Sequence, residues 1–206
     1  EVQMTMNKGR LIVFSAPSGC GKGTMLAEIL KNEKFRCSVS ATTRSPREGE
    51  IDGVNYHFLT REDFESRINA EQFLEHAEYC GNYYGTLMSE VDSYLDKGIN
   101  VILEIEVQGA MKIREKRPEA LFVFIAPPSV AELTRRLKKR GTETDEVIAE
   151  RVSQAAGEIA AAEKYDYIIV NDALEDAVSD FFAVIRAEEL KSENMGEILN
   201  EVLKNA

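Results

Sequence analysis

The chain has 206 residues, enough for one substantial core with an inserted subdomain or two. Its 44% hydrophobic and 30% charged residues are ordinary for a soluble globular protein, and a net charge of -11, from 25 basic and 36 acidic residues, argues against an extended nucleic-acid surface. Cys20, Cys37 and Cys80 are odd in number and widely spaced, which suits a reducing compartment and supports neither a disulfide framework nor a zinc site. No apolar run approaches the ~20 residues that span a bilayer. The polar N-terminus EVQMTMNKGR does not read as a signal peptide, so a cytoplasmic protein without membrane contact is expected.

Leu11 to Phe14 form an apolar run of the kind found in a buried parallel strand. A turn follows with Pro17, Gly19, Gly21 and Gly23 and one lysine, Lys22; from Met25 the pattern is helical, with Leu26, Ile29 and Leu30 on one side. Strand, glycine-rich turn and helix is the setting of a phosphate-binding P-loop. The loop from Ala16, Pro17, Ser18, Gly19, Cys20, Gly21 and Lys22 to Gly23 and Thr24 would aim backbone amides at phosphates, beside the positive end of the helix and the Lys22 charge. Against the pattern G-x-x-x-x-G-K-[ST], Ala16 stands for the first glycine and Gly23 for the Ser/Thr, so the hydroxyl comes one residue later, at Thr24.

The first helix ends near Asn32, and Cys37 to Ser40 predict a short strand. Tyr56 to Phe58 predict another, Thr60 to Asp63 a helix start with an acidic first turn, and FLEHAEYCGNYYGTLM two antiparallel strands turning at Gly81-Asn82. Residues 37 to 88 thus read as a small, mostly β insertion. Ser89 to Lys97 predict a helix stopped by Gly98, Ile99 to Ile105 a second strong strand, and Gln108-Gly109 the opening of a helix to about Lys116. Leu121 to Ile125 predict a third strand, ended by Pro127-Pro128; Ser129 and Glu132 read as a capping box for a helix that Gly141 breaks. Thr144 starts a long helix to about Lys164, Tyr167 to Val170 a fourth strand, and Ala173 to about Leu190 the last long helix. Met195, Ile198, Leu199 and Val202 give the tail an amphipathic helical pattern suited to packing or to an oligomer contact. Strand–helix alternation with apolar strands predicts an α/β fold, a parallel sheet covered by helices on both faces.

Several groups have the makings of chemistry. Arg44 and Arg47, three apart around Pro46, suit bidentate capture of phosphate, and the hydroxyls of Tyr56 and Tyr84 would complete such a pocket. Arg136 and Arg140 are i,i+4 neighbours and Arg151 lies on the next helix; with the hinge-like Gly141 to Thr144 between, they read as a lid over a transferring phosphoryl group. Glu104 and Glu106, at i and i+2 near a strand end, share one face: one would hold Mg²⁺ through water, the other would accept hydrogen bonds from a base. Glu75 is a similar candidate, and His57 and His76 read as structural.

SAPSGCGKGT (Ser15–Thr24), SVSATTRSPREGEIDGVNY (Ser38–Tyr56), GNYYGT (Gly81–Thr86), IAPPS (Ile125–Ser129), RGTET (Arg140–Thr144) and VND (Val170–Asp172) together resemble the guanylate kinases, in family order. The resemblance implies transfer of the γ-phosphoryl group of ATP to GMP, with Mg²⁺. It also implies a P-loop core (8–36, 90–128 and 165–190), a GMP-binding insertion (37–89), and a mobile lid with its following helix (129–164), with 191–206 as a tail. Carried over by position, Ser40, Glu75, Thr86 and Glu106 would read guanine, while Arg44, Arg47, Tyr56 and Tyr84 would hold the GMP phosphate. Lys22 and the loop amides would hold the ATP phosphates, with Asn171 near the adenine and Arg136, Arg140 and Arg151 at the transferring group. Position 106 is Glu where related sequences have Asp, and Gly23 leaves Thr24 or Glu104 to face the metal. Two other readings stand beside this one: a non-catalytic guanylate-kinase-like protein-binding domain, and a kinase for another nucleotide or metabolite. A monomer or small homo-oligomer is expected.

Overall fold

The computed structural model describes residues 8–140 and 144–204, apart from the side chains of Arg140 and Glu197. In chain order, β1 (Leu11–Ser15), α1 (Lys22–Ile29) and β2 (Phe35–Cys37) precede a small β-rich segment, β3 (Ala41–Thr42), β4 (His57–Phe58), α2 (Arg61–Asn69), β5 (Phe73–Tyr79) and β6 (Asn82–Leu87). Then come α3 (Met88–Leu95), β7 (Asn100–Glu104), α4 (Val107–Lys116), β8 (Leu121–Ala126), α5 (Val130–Arg140), α6 (Asp145–Ala160), β9 (Tyr167–Val170), α7 (Leu174–Glu189) and α8 (Gly196–Lys204).

The expected parallel sheet has the order β2-β7-β1-β8-β9. Its central strand is the apolar run before the glycine turn: Val13 pairs with Leu103 on one side and Phe122 on the other. Alternate residues of β1 enter opposite cores. Ile12 and Phe14 pack with Ile29 of α1 and Phe181 and Ile185 of α7, whereas Leu11 and Val13 pack with Val91 of α3 and Ile113 of α4. A strand covered on both faces has no polar side, which is why it reads as a continuous apolar run. Each such residue, fully buried, contributes about 1.5–3 kcal/mol. The sheet thereby holds the C-terminal end of β1, where the glycine turn begins, as a rigid platform.

The second sheet, β4-β3-β6-β5, has its own small core, in which Phe64 of α2 stacks on Phe73 at 4.2 Å between ring centroids. Thr60 caps α2, accepting from the Asp63 N–H. Glu90, in the first turn of α3, ties this segment to the core. One of its oxygens accepts from the Val39 N–H at 3.2 Å and the other meets His57 Nε2 at 3.1 Å, so His57 has an acidic partner far from it in sequence.

Several local expectations are corrected. Residues 38–40 are not strand; β2 lies earlier, pairs with β7 and belongs to the large sheet. The hairpin turns at Cys80-Gly81, because Tyr79 pairs directly with Asn82, and the two turn residues have φ of 48° and 75°, as a two-residue type I′ turn requires. Glu106 has left the strand and stands at the N-terminal boundary of α4, which opens at Val107. Half of the expected capping box forms: Ser129 Oγ accepts from the Glu132 N–H at 3.1 Å, but the Glu132 carboxylate turns to Arg135 and Arg136. The tail is helical, yet Leu199, Val202 and Leu203 stay exposed. The expected break at Gly141 and the segment Thr142–Glu143 lie outside the described residues.

Candidate active site

The turn after β1 is shaped by two left-handed glycines, Gly19 at φ 89° and Gly21 at φ 83°, a region that side chains with a Cβ disfavour. Between them Cys20 is buried, its Sγ donating to the Ile125 carbonyl at 3.5 Å; burial pushes its thiol up to about 11. The Cys20 carbonyl in turn accepts from Asn171 Nδ2 at 2.8 Å, a buried bond reaching over from the loop after β9. A Cβ on Gly21 would lie 2.7 Å from that same Nδ2. Asn171 and Gly21 therefore fit one another, and together they set the turn that starts α1.

Lys22 is the first residue of α1, and its Nζ lies 3.4 Å from Glu104 Oε1 at the end of β7. With side chains 22% and 44% exposed, the pair is screened and is worth about 1 kcal/mol or less. A cavity of about 360 Å³ follows the loop from Ala16 through Pro17, Ser18, Gly19, Cys20, Gly21 and Lys22 to Gly23, closed by Glu106, Arg151, Gln154 and Glu158. Arg151 reaches the loop itself, donating to Ser18 Oγ at 2.9 Å. Burial, and then the negative charge of Glu106, hold the Glu158 carboxyl above its usual range.

On the other side of the glycines lies a second cavity, of about 470 Å³, lined by Gly19, Gly21, Thr24, Arg136, Lys139, Asn171, Asp172 and Leu174. Arg136 donates to the Asn171 carbonyl at 2.9 Å and the Asp172 carbonyl at 3.3 Å, and pairs with Glu132 at 2.7 Å. Arg136 and Arg151 thus flank the loop from two sides and line different cavities. The Arg140 side chain lies outside the described residues.

The candidates in the small sheet form two groups. Tyr56 and Tyr84 meet edge to face at 6.1 Å, and the Arg44 guanidinium lies over the Tyr56 ring at 5.4 Å. Arg44 bonds Glu50 at 2.8 Å and the Ser45 carbonyl at 2.7 Å, whereas the Arg47 residue is exposed. In the second group Thr86, buried in β6, donates from its hydroxyl to Glu75 Oε1 at 2.8 Å across the hairpin. Next to it Gly85 has no room for a side chain, since a Cβ there would lie 2.7 Å from the Glu75 carbonyl oxygen. Ser40, half-buried, has its carbonyl bonded to the His57 N–H at 2.9 Å, which anchors it to β4.

The family model for guanylate kinase matches residues 8–188. The chain belongs to the guanylate kinase family. It is 53% identical over 196 residues to a guanylate kinase of Clostridium perfringens (strain SM101 / Type A), covering 95% of this chain and 91% of the relative. To that of Halalkalibacterium halodurans it is 50% identical over 202 residues, with 98% and 99% covered. Among solved structures, guanylate kinase from Anaplasma phagocytophilum superposes with a TM-score of 0.67 at 36% identity, over 90% of this chain and 89% of that one. The P-loop NTPase-type architecture expected from the sequence is the one observed. Within this guanylate kinase fold, sequence reasoning missed Glu50, Gln154 and Glu158, and read Glu132 only as a helix cap and not as the partner of Arg136. Glu132 was within reach, four residues ahead of Arg136 on a helix; Gln154 and Glu158 meet the loop only through folding.

Proposed function

We propose that this protein is an active guanylate kinase, transferring the γ-phosphoryl group of ATP to GMP to give ADP and GDP. The observation that carries the reading is the Glu75 carboxylate held by Thr86 at 2.8 Å beside an arginine–tyrosine pocket. Guanine offers N1–H and N2–H₂ as adjacent donors, which an ionised carboxylate accepts, and adenine lacks that pair. In this reading Ser40, Glu75, Thr86 and Glu106 read the base; Glu106 also lines the cavity along the glycine loop. Arg44, Arg47, Tyr56 and Tyr84 hold the GMP phosphate. Residues 37–89 are the GMP-binding insertion, 129–164 the lid with its following helix, and the remaining segments the core with its tail.

Lys22 and the amides at the head of α1 take the ATP phosphates, and the cavity beside Asn171 takes the adenine. Arg151, together with Arg136 and Arg140 of the lid helix, neutralises charge that builds on the group in transit. Phosphoryl transfer depends mainly on alignment and such neutralisation, so several fixed cations and exclusion of water supply most of the catalysis. Bound beside these groups, Mg²⁺ would supply further positive charge against the ATP phosphates. Glu104, whose Oε1 lies 3.4 Å from Lys22 Nζ, fits it, because Mg²⁺ at phosphates takes one or two protein oxygens and keeps its waters; Thr24, the other candidate, lines the cavity beside Asn171 instead. Gly23 offers no side-chain oxygen. No helix among the described residues is long and apolar enough to cross a membrane. The reading places the protein in the cytoplasm, as a monomer or small homo-oligomer, and the net charge of -11 speaks against a nucleic-acid partner.

A coupled ADP-release assay with ATP and Mg²⁺ tests the reading by comparing GMP with AMP, UMP and CMP. Turnover with GMP far above the rest is expected, and Glu75→Gln should erode that preference. A folded protein that binds GMP and turns over none of the four would overturn it.

A further inference from the structure

The loop from Arg44 to Glu50 is stitched by one carboxylate. Glu50 Oε1 accepts from Arg44 Nη2 at 2.8 Å, and Glu50 Oε2 accepts from the Arg47 backbone N–H at 2.7 Å. The Glu50 N–H donates back to the Arg47 carbonyl at 3.0 Å, closing a four-residue turn in which Gly49, at φ 84°, occupies the place that a type II turn reserves for glycine. The Glu50 and Arg44 side chains are 19% and 16% exposed, and Arg44 is also held over Tyr56 and bonded to the Ser45 carbonyl. Arg44 therefore spends one N–H of each terminal nitrogen on the protein, and its plane and direction are set before any ligand arrives.

We propose that Glu50 is a positioning residue for the phosphate of the nucleoside monophosphate, fixing the Arg44 guanidinium and the Arg47 turn in the geometry that receives it. This rests on the reading of Arg44 and Arg47 as phosphate ligands. Two effects of Glu50 oppose each other. Its negative charge lowers the local potential and by itself repels a phosphate. Against that, a long arginine left free would have to be ordered on binding, and ordering it beforehand raises affinity. Both carboxylate oxygens serve different donors, and Arg44 keeps further N–H groups for a ligand, so the ordering effect wins. Glutamine at this position has one acceptor oxygen for two donors and must break one of the bonds.

Calorimetric titration of the full chain with GMP and with guanosine, which has the base and no phosphate, separates the possibilities. Glu50→Gln should weaken GMP by about tenfold, the scale of one charge-assisted bond, and leave guanosine within about twofold. KM for GMP should rise while KM for ATP holds. In an Arg44→Ala background the same change should add about twofold or less, because Glu50 acts largely through Arg44. Unchanged or tighter GMP binding in Glu50→Gln, while Arg44→Ala weakens it, overturns the proposal alone; so do losses that multiply independently in the double variant. If Arg44→Ala does not weaken GMP relative to guanosine, the phosphate reading itself fails. Should Glu50→Gln lose guanosine binding as well, Glu50→Asp, which keeps the charge but not the reach, is measured in its place: selective loss of GMP supports the proposal and no loss overturns it.

Discussion

Gly21→Ala separates the structural from the permissive glycines of the phosphate loop. Gly21 sits at φ 83°, where an alanine is strained by about 1–2 kcal/mol. The added methyl would also stand 2.7 Å from Asn171 Nδ2. A side-chain end often yields cheaply, but this one is buried, with Asn171 5% exposed, and holds the Cys20 carbonyl at 2.8 Å. Moving it away leaves a buried acceptor unmet, at about 1–3 kcal/mol. The sum is a loss of about 2–5 kcal/mol, a fall in Tm of roughly 4–20 °C for a chain of this size. Gly23→Ala is the control: among the described residues nothing lies within 4 Å of a Cβ there, and the residue is the second of α1. That variant should be neutral or gain up to about 1 kcal/mol. Urea titration of both, with KM for ATP measured alongside, decides the matter. A Gly21→Ala loss below about 1 kcal/mol, or equal effects in the two variants, would refute the fit between Gly21 and Asn171.

Lys22→Ala should lower kcat by several kcal/mol of transition-state stabilisation with Tm almost unchanged, since the Lys22–Glu104 pair is half-exposed; a variant within tenfold of the parent removes Lys22 from the machinery. Glu90→Ala leaves the Val39 N–H and His57 without their acceptor and should cost about 1–3 kcal/mol in urea, whereas an unmoved midpoint would show those bonds to be idle. Glu132, bonded first by Arg135 and then by Arg136, has its carboxyl lowered from 4.5 to about 2. The stability this brings is present above pH 4.5 and fades as pH falls towards 2, so the parent's advantage over Glu132→Gln should shrink across that window in acid unfolding; a constant difference contradicts it. Burial pushes the Cys20 and Cys37 thiols up to about 11, leaving about one in a thousand ionised at pH 8. Iodoacetamide on the native protein should therefore label exposed Cys80 first, and equal labelling of Cys20 by peptide mass spectrometry would argue against its burial.

Local chemistry made much of this protein legible. The apolar runs, the Thr60 cap, the glycines at Gly19 and Gly21 and the stop at Gly98 each act over a few residues, so the sequence by itself determined the long apolar strands, the helices, the glycine turn and, with its motifs, the family, but not the short strands β2 and β3. Even there the two-residue turn at Cys80-Gly81 was displaced by one position, because strand pairing and not composition chooses which residues turn. What only the tertiary structure decided are contacts between distant segments: the strand order β2-β7-β1-β8-β9, Asn171 on the Cys20 carbonyl, Glu90 on Val39 and His57, and Arg136 on the carbonyls of Asn171 and Asp172. Periodicity records which face of an element is buried, not which element buries it, and a polar side chain finds its partner only after the apolar faces have packed and brought the two within hydrogen-bond reach.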